Sequence, residues 1–243
     1  MQSIVESAPV KRRGNPYRDA DGKFCKQSEA VYIVDNEGRL KKISKGGGNP
    51  YHDKAGKFAA HSSSVGVDWN SPDGKKLTTI TKKWQGQSGQ VEAIQKDFLL
   101  KAAGKSIGST QRTEHMRVLK NGIKNSPPND ETLYRGVKMP KGHDIEAMVG
   151  QSFIIGPSSF SSDQRIARHF VDRSQTVSTT VVYRMHPGKG RGLKIAEHGD
   201  PKYAYEKESI SAGQFKMVKA EKLPGNKGWI VDVEHTAMFD WSE

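Results

Sequence analysis

Apolar positions change their period partway along this 243-residue chain. In GQVEAIQKDFLLKA (89–102), Val91, Ile94, Phe98 and Ala102 recur three or four residues apart, which predicts one buried face of an α-helix. STQRTEHMRVLKNGI (109–123) repeats the pattern with Met116, Leu119 and Ile123. Ser109 or Thr110 supplies its N-cap, and Pro127-Pro128 stops it. Beyond the prolines, short apolar runs bounded by turn residues predict strands: TLYRGV, QSFII, STTVVYRM, GLKIAE, YEKESI, QFKMVKAEKL and GWIVDVEH. One helix interrupts them, SDQRIARHFVD, with Ile166, Ala167 and Phe170 inward. Helices first and strands afterwards predict an α+β domain over residues 63–243, not a parallel doubly wound sheet.

The first 62 residues have no such period and are expected to form a flexible tail. They hold an internal repeat: GNPYRDADGKF (14–24) returns as GNPYHDKAGKF (48–58), 34 residues later. Each copy reads as a turn at Asn-Pro and a second turn before a lone phenylalanine. Two copies are too few for a solenoid. Between them, VYIVDNEGRLKKI predicts a small hairpin turning at Asn36–Gly38. The tail reads either as a loosely ordered lead-in or as a duplicated tag that a partner recognises.

The net charge of +12 raises the question of a polyanion partner. Its distribution weakens that reading. Residues 1–60 carry 12 basic and 7 acidic side chains, residues 61–130 carry 11 and 6, and residues 131–243 carry 16 and 14. The strand-rich half is therefore almost neutral, and attraction to nucleic acid is expected to be non-specific at most. No run of about 18 apolar residues exists, so no membrane-spanning helix is expected. MQSIVESAPVKRR lacks the apolar run of a signal peptide. Cys25 is the single cysteine and has no partner for an internal disulfide. The histidines lack metal-ligand spacing with cysteine or with one another, so no metal is expected.

Polar residues interrupt the predicted strands in three places. Arg135 follows apolar residues in TLYRGV, where it requires an anion or a carboxylate such as Glu131, and Gly136 would let a ligand approach the backbone. GPSSFSSDQRIARHF sets four serines around Phe160 ahead of a helix, which suits either capping by Ser161, Ser162 or Asp163, or anion capture. YAYEKESI places Glu206 and Glu208 one residue apart. On a strand they would share a face, with Lys207 opposite. The pair is either an exposed charged edge or two carboxylates aimed at one substrate.

Taken in order, these three places resemble the arginine–serine–glutamate class of mono-ADP-ribosyltransferases, a family of bacterial toxins, vertebrate ectoenzymes and phage-encoded transferases. LYRG is similar to the family's first motif, SSFSSDQRIARHF to its serine–threonine–serine strand and following helix, and YEKESISAGQFKMV to its Glu-x-Glu strand. The resemblance spans about residues 80–235, and Ser159-Phe160-Ser161 carries phenylalanine where threonine is usual. It implies N-terminal helices followed by two packed mixed or antiparallel sheets around an NAD cleft. It implies that Arg135, Gly136, Phe160 and Ser161 contact NAD and that Ser159 orients the site. Glu208 would bond the nicotinamide ribose, Glu206 would prepare an arginine acceptor, and Tyr203 and Tyr205 in HGDPKYAY would meet the target protein. The repeated tag is similar to short segments of phage head proteins. It suggests a transferase packaged through capsid contacts and delivered to a bacterial cytoplasm. The alternatives are a virion protein with an inactive transferase fold, an NAD glycohydrolase, or a transferase acting on nucleic acid.

Overall fold

The structure is a computed structural model that describes residues 31–34, 40–43, 66–86, 89–102, 110–140, 142–172 and 178–238. Both copies of the repeat and Cys25 lie outside these residues. A hairpin comes first, with β1 (Val31–Val34) antiparallel to β2 (Leu40–Ile43), as the sequence predicts. Its expected turn residues lie outside the described set.

Three helices follow: α1 (Pro72–Gln85), α2 (Gly89–Ala102) and α3 (Thr110–Asn125). The periodicity predicts α2 and α3 but not α1. Ser71 starts α1 by accepting from the Gly74 N–H, with Pro72 at the first helical turn. Leu77, Ile80, Thr81 and Trp84 then form its buried stripe.

The remaining chain supplies β3 (Leu133–Pro140), β4 (Ser152–Ser161), α4 (Gln164–Asp172), β5 (Ser178–Met185), β6 (Leu193–Lys194), β7 (Glu208–Lys222) and β8 (Trp229–Ala237). Two sheets were expected, but the strands form one hydrogen-bonded ladder that closes on itself. The ring runs β4, β3, β5, β8, β7 and back to β4. Closure between β3 and β4 rests on a single pair, Tyr134 with Ser161, so the two strands part beyond it. At the far end of the same edge of β4, β1 pairs parallel with Ser152–Ile154, while β7 holds the opposite edge. The strands predicted as YEKESI and QFKMVKAEKL are one strand, β7, entered only at Glu208.

Strand alternation feeds two cores. Phe153, Phe160, Tyr183, Phe215, Met217 and Val231 fill the barrel. Ile154, Ile210 and Ala212 face outward, where α1, α2 and α3 cover them with Leu77, Trp84, Phe98, Leu119 and Ile123. Both faces of β4 and of the first half of β7 are therefore buried. Most of their polar residues are withdrawn from solvent.

Candidate active site

The parted seam between β3 and β4 holds a cavity of roughly 240 Å3. Its lining includes Arg135 and Gly136 from β3, Ser159, Phe160 and Ser161 from β4, and Glu206 and Glu208 at the entry to β7. Seven of the residues singled out from the sequence thus meet at one place. Tyr203 and Tyr205 lie beside it on the 3-10 turn Pro201–Glu206. Tyr205 is 64% exposed, and its hydroxyl lies 3.3 Å from Glu206 Oε1 as donor.

Arg135 occupies the inward register of β3 with Leu133, Val137 and Met139. Its Nη1 donates to the Ser159 carbonyl at 2.9 Å. Among the described residues no carboxylate forms an ion pair with it. Burial pushes its pKa down to about 10, against the attraction of Tyr183 and Glu208. The Glu131 partner that the sequence left open pairs instead with Lys194 at 4.0 Å. Gly136 has a structural reason as well: a Cβ there would lie 2.1 Å from the Ala167 carbonyl oxygen and 2.1 Å from Val171 Cγ2. Its missing side chain lets α4 lie against β3 while its backbone borders the cavity.

Across the seam the two serines divide. Ser159 Oγ accepts from Trp84 Nε1 at 2.9 Å. Ser161 Oγ donates to the Glu206 carbonyl at 2.6 Å and accepts from the Asp163 N–H at 3.0 Å. It therefore ties the 3-10 turn to the start of α4, and Asp163 caps that helix by accepting from the Arg165 N–H. Phe160 points the other way, into the barrel, where it stacks on Phe215 at 6.1 Å.

The two glutamates do not share a strand face as the sequence reading expected. Glu206 ends the 3-10 turn, and Lys207 then takes the left-handed conformation (φ 46°, ψ 47°) before β7 begins. Asp200 and Pro201 start that turn, so the alternating aromatics are not a strand. The tight reversal still delivers both carboxylates to the cavity.

Glu208 lies on the helix-facing side of β7 with Ile210 and Ala212 and is 6% exposed. Its Oε1 accepts from Trp84 Nε1 at 3.2 Å, while Oε2 is buried without a hydrogen-bond partner. Burial raises its pKa above the ordinary carboxyl value, and the charge on Glu206 adds to this. The Ser159 hydroxyl, the Gln85 amide and the Trp84 indole pull it back. The site therefore holds one desolvated cation, one desolvated carboxylate and a second carboxylate at the rim. Such a set can bind an anion, stabilise growing positive charge and accept a proton.

Trp84 and Gln85 were not read from the sequence as site residues. Their signal was the i, i+3, i+4, i+7 stripe of α1, which places Trp84 on the buried face.

No protein-family model matches the chain, and no curated protein sequence matches it. Among solved structures it is similar to Vis, an ADP-ribosyltransferase from Vibrio splendidus, in complex with M6 inhibitor. That likeness has 18% identity and a TM-score of 0.49 over 65% of this chain and 72% of that one. It is also similar to C3stau2 from S. aureus with NAD, at 14% identity and a TM-score of 0.48 over 65% and 85% of the two chains. For exoenzyme S from Pseudomonas aeruginosa, bound to carba-NAD and in complex with human 14-3-3 protein beta, the values are 11%, 0.46, 65% and 72%.

Proposed function

We propose that this chain is an NAD-dependent mono-ADP-ribosyltransferase that modifies arginine side chains of proteins. One observation carries the reading: Arg135, Ser159, Glu206 and Glu208, from three separate stretches of sequence, line a single cavity.

The residues fit NAD on two counts. Arg135 is a buried cation that gives one donor to a backbone carbonyl. A guanidinium has five N–H groups, and those remaining suit phosphate oxygens. Glu208 keeps one buried oxygen without a donor, which suits a ribose hydroxyl.

NAD, when bound, supplies the ADP-ribosyl group, with nicotinamide as its leaving group. Arg135 neutralises the phosphates, and the backbone of Gly136 holds the carboxamide. The Glu208 carboxylate, fixed by Trp84 and Ser159, offsets positive charge that grows on the ribose as the bond to nicotinamide breaks. A charge already desolvated and held in place acts on the transition state without reorganising. At the rim, Glu206 accepts the proton that an arginine guanidinium loses as its nitrogen forms the new bond. Tyr203 and Tyr205, on the turn that ends in Glu206, offer the acceptor protein an aromatic surface.

The division of labour between the carboxylates supplies the test. Glu206→Gln is expected to abolish transfer to arginine while sparing much of the acceptor-free release of nicotinamide. The check measures labelled agmatine product beside free nicotinamide in the same reaction. Equal loss of both would remove the acceptor role from Glu206. For the repeats at 14–24 and 48–58 we propose a packaging role in a phage particle that delivers the enzyme to bacterial cytoplasm, which the duplication supports. A reporter fused to residues 1–62 should then co-purify with capsids, and a reporter absent from them would end that reading.

A further inference from the structure

Gln85 is the last residue of α1, 4% exposed, and does not line the cavity. Its Oε1 accepts from the Asp200 backbone N–H at 2.7 Å, at the start of the turn that carries Tyr203, Tyr205 and Glu206. The loop lies directly on this amide, since a Cβ on Gly199 would sit 1.9 Å from Gln85 Oε1. The other end of the amide, Nε2, is buried without a hydrogen-bond partner. So is Oε2 of Glu208. A buried donor and a buried acceptor, each unsatisfied, are rare in a folded protein because each one costs free energy.

Resting on the transferase reading, we propose that Gln85 is a positioning residue that couples the acceptor-facing turn to Glu208. A load on the turn passes through the Asp200 N–H to the amide, whose Nε2 closes onto Glu208 Oε2. With the turn unloaded, Glu208 Oε1 accepts from Trp84, and the Gln85 amide lies near enough to pull the Glu208 pKa down without a hydrogen bond to Oε2. With an acceptor seated, both oxygens are held and the carboxylate stays charged. Turnover of NAD is thereby favoured when a guanidinium is present and restrained when it is not. The groups facing Glu208 are Trp84 and Gln85 from α1, Ser159 from β4, Glu206 from the turn and Arg135 from β3. Only Glu206 and Arg135 among them are charged, and neither is altered by changing Gln85.

The test compares the full-length chain with Gln85→Met, which keeps the length of the side chain and removes both polar atoms. The readout is nicotinamide release across pH 4–9 with and without agmatine. In the unaltered chain, agmatine is expected to move the acid limb of the profile to lower pH. In Gln85→Met that movement disappears, and kcat with agmatine falls on the order of tenfold, the worth of one hydrogen bond to a charged group. Acceptor-free turnover changes less. If Gln85→Met does not fold, Asp200→Pro removes the anchoring N–H at a φ of −83° that proline accepts, and Asp200→Ala, which keeps the N–H and loses the same capping carboxylate, is its control. The proline variant should likewise abolish the agmatine-dependent movement. A wild-type profile in a folded variant would overturn the coupling while leaving the transferase reading intact. Absence of NAD turnover in the unaltered chain would overturn both.

Discussion

A single indole proton serves two residues at the centre of the site. Trp84 Nε1 lies 2.9 Å from Ser159 Oγ and 3.2 Å from Glu208 Oε1. Trp84→Phe keeps an aromatic ring in the core and removes this donor. It is expected to lower kcat for nicotinamide release on the order of tenfold, with little change in KM for NAD. A lowered melting temperature with kcat intact would mean that Trp84 only fills space. Glu208 itself carries a pH prediction. The fold raises its pKa, so the native state holds that proton more tightly than the unfolded chain does. This contribution to stability is full below the ordinary carboxyl pKa and is lost as pH rises through the raised value. Glu208→Gln should therefore melt above the parent at neutral pH, with the gap closing towards pH 4. On the proposed mechanism activity runs the other way, because the charged carboxylate is the form that offsets positive charge on the ribose, and turnover is expected to fall as pH drops through the same range. A gap in melting temperature that does not vary with pH would contradict the assignment.

At the scale of elements, the approach of α4 to β3 depends on one missing side chain. Gly136→Ala would drive a methyl group into the Ala167 carbonyl and Val171. Overpacking of this kind costs about 1–3 kcal/mol or more, and relief requires α4 to move away from the seam. We expect a lower denaturant midpoint together with a raised KM for NAD, and an unchanged KM would show that α4 does not set the width of the seam. Periodicity made α2, α3 and α4 legible, because their buried positions lie on one stripe with few interruptions. It missed α1, where Thr78, Thr79, Thr81 and paired lysines obscure the stripe of Leu77, Ile80 and Trp84. It also extended β7 backwards over YAYEK, whose aromatic alternation mimics a strand. What bends that stretch into a 3-10 turn includes contacts from far away. Gln85 bonds the Asp200 amide across 115 residues, and Ser161 bonds the Glu206 carbonyl across 45. Arg135, the serines and the two glutamates were legible because charges and hydroxyls within apolar strands require a reason. Their partners were not, since Trp84 and Gln85 look like ordinary helix residues until the helix is packed on the sheet.

For the whole molecule, closure of the sheet with one loose seam puts the site where the strands part. The remainder of the ring, packed with Phe153, Phe160 and Phe215, keeps the parted strands apart. Phe153→Ala is expected to cost about 3–5 kcal/mol by denaturant unfolding, and to lower activity only in proportion to unfolded chain. The hairpin of β1 and β2 covers the edge of β4 at Ser152–Ile154. An uncovered edge invites pairing with other chains, so deletion of residues 1–62 should retain NAD turnover while promoting self-association, which light scattering would report. The basic charge, concentrated before residue 131, lies outside the nearly neutral half that carries Arg135, Ser159 and both glutamates. Salt should therefore affect encounter with polyanions more than it affects nicotinamide release. On the proposed function, this seam transfers ADP-ribose from NAD to protein. The most direct test of that function incubates labelled NAD and a bacterial lysate with the unaltered chain and with Glu208→Gln. Labelled protein bands that form with the former and fall by about a hundredfold or more with the latter are the predicted result. Bands of equal strength with both chains, or no NAD turnover by the folded unaltered chain, would contradict it.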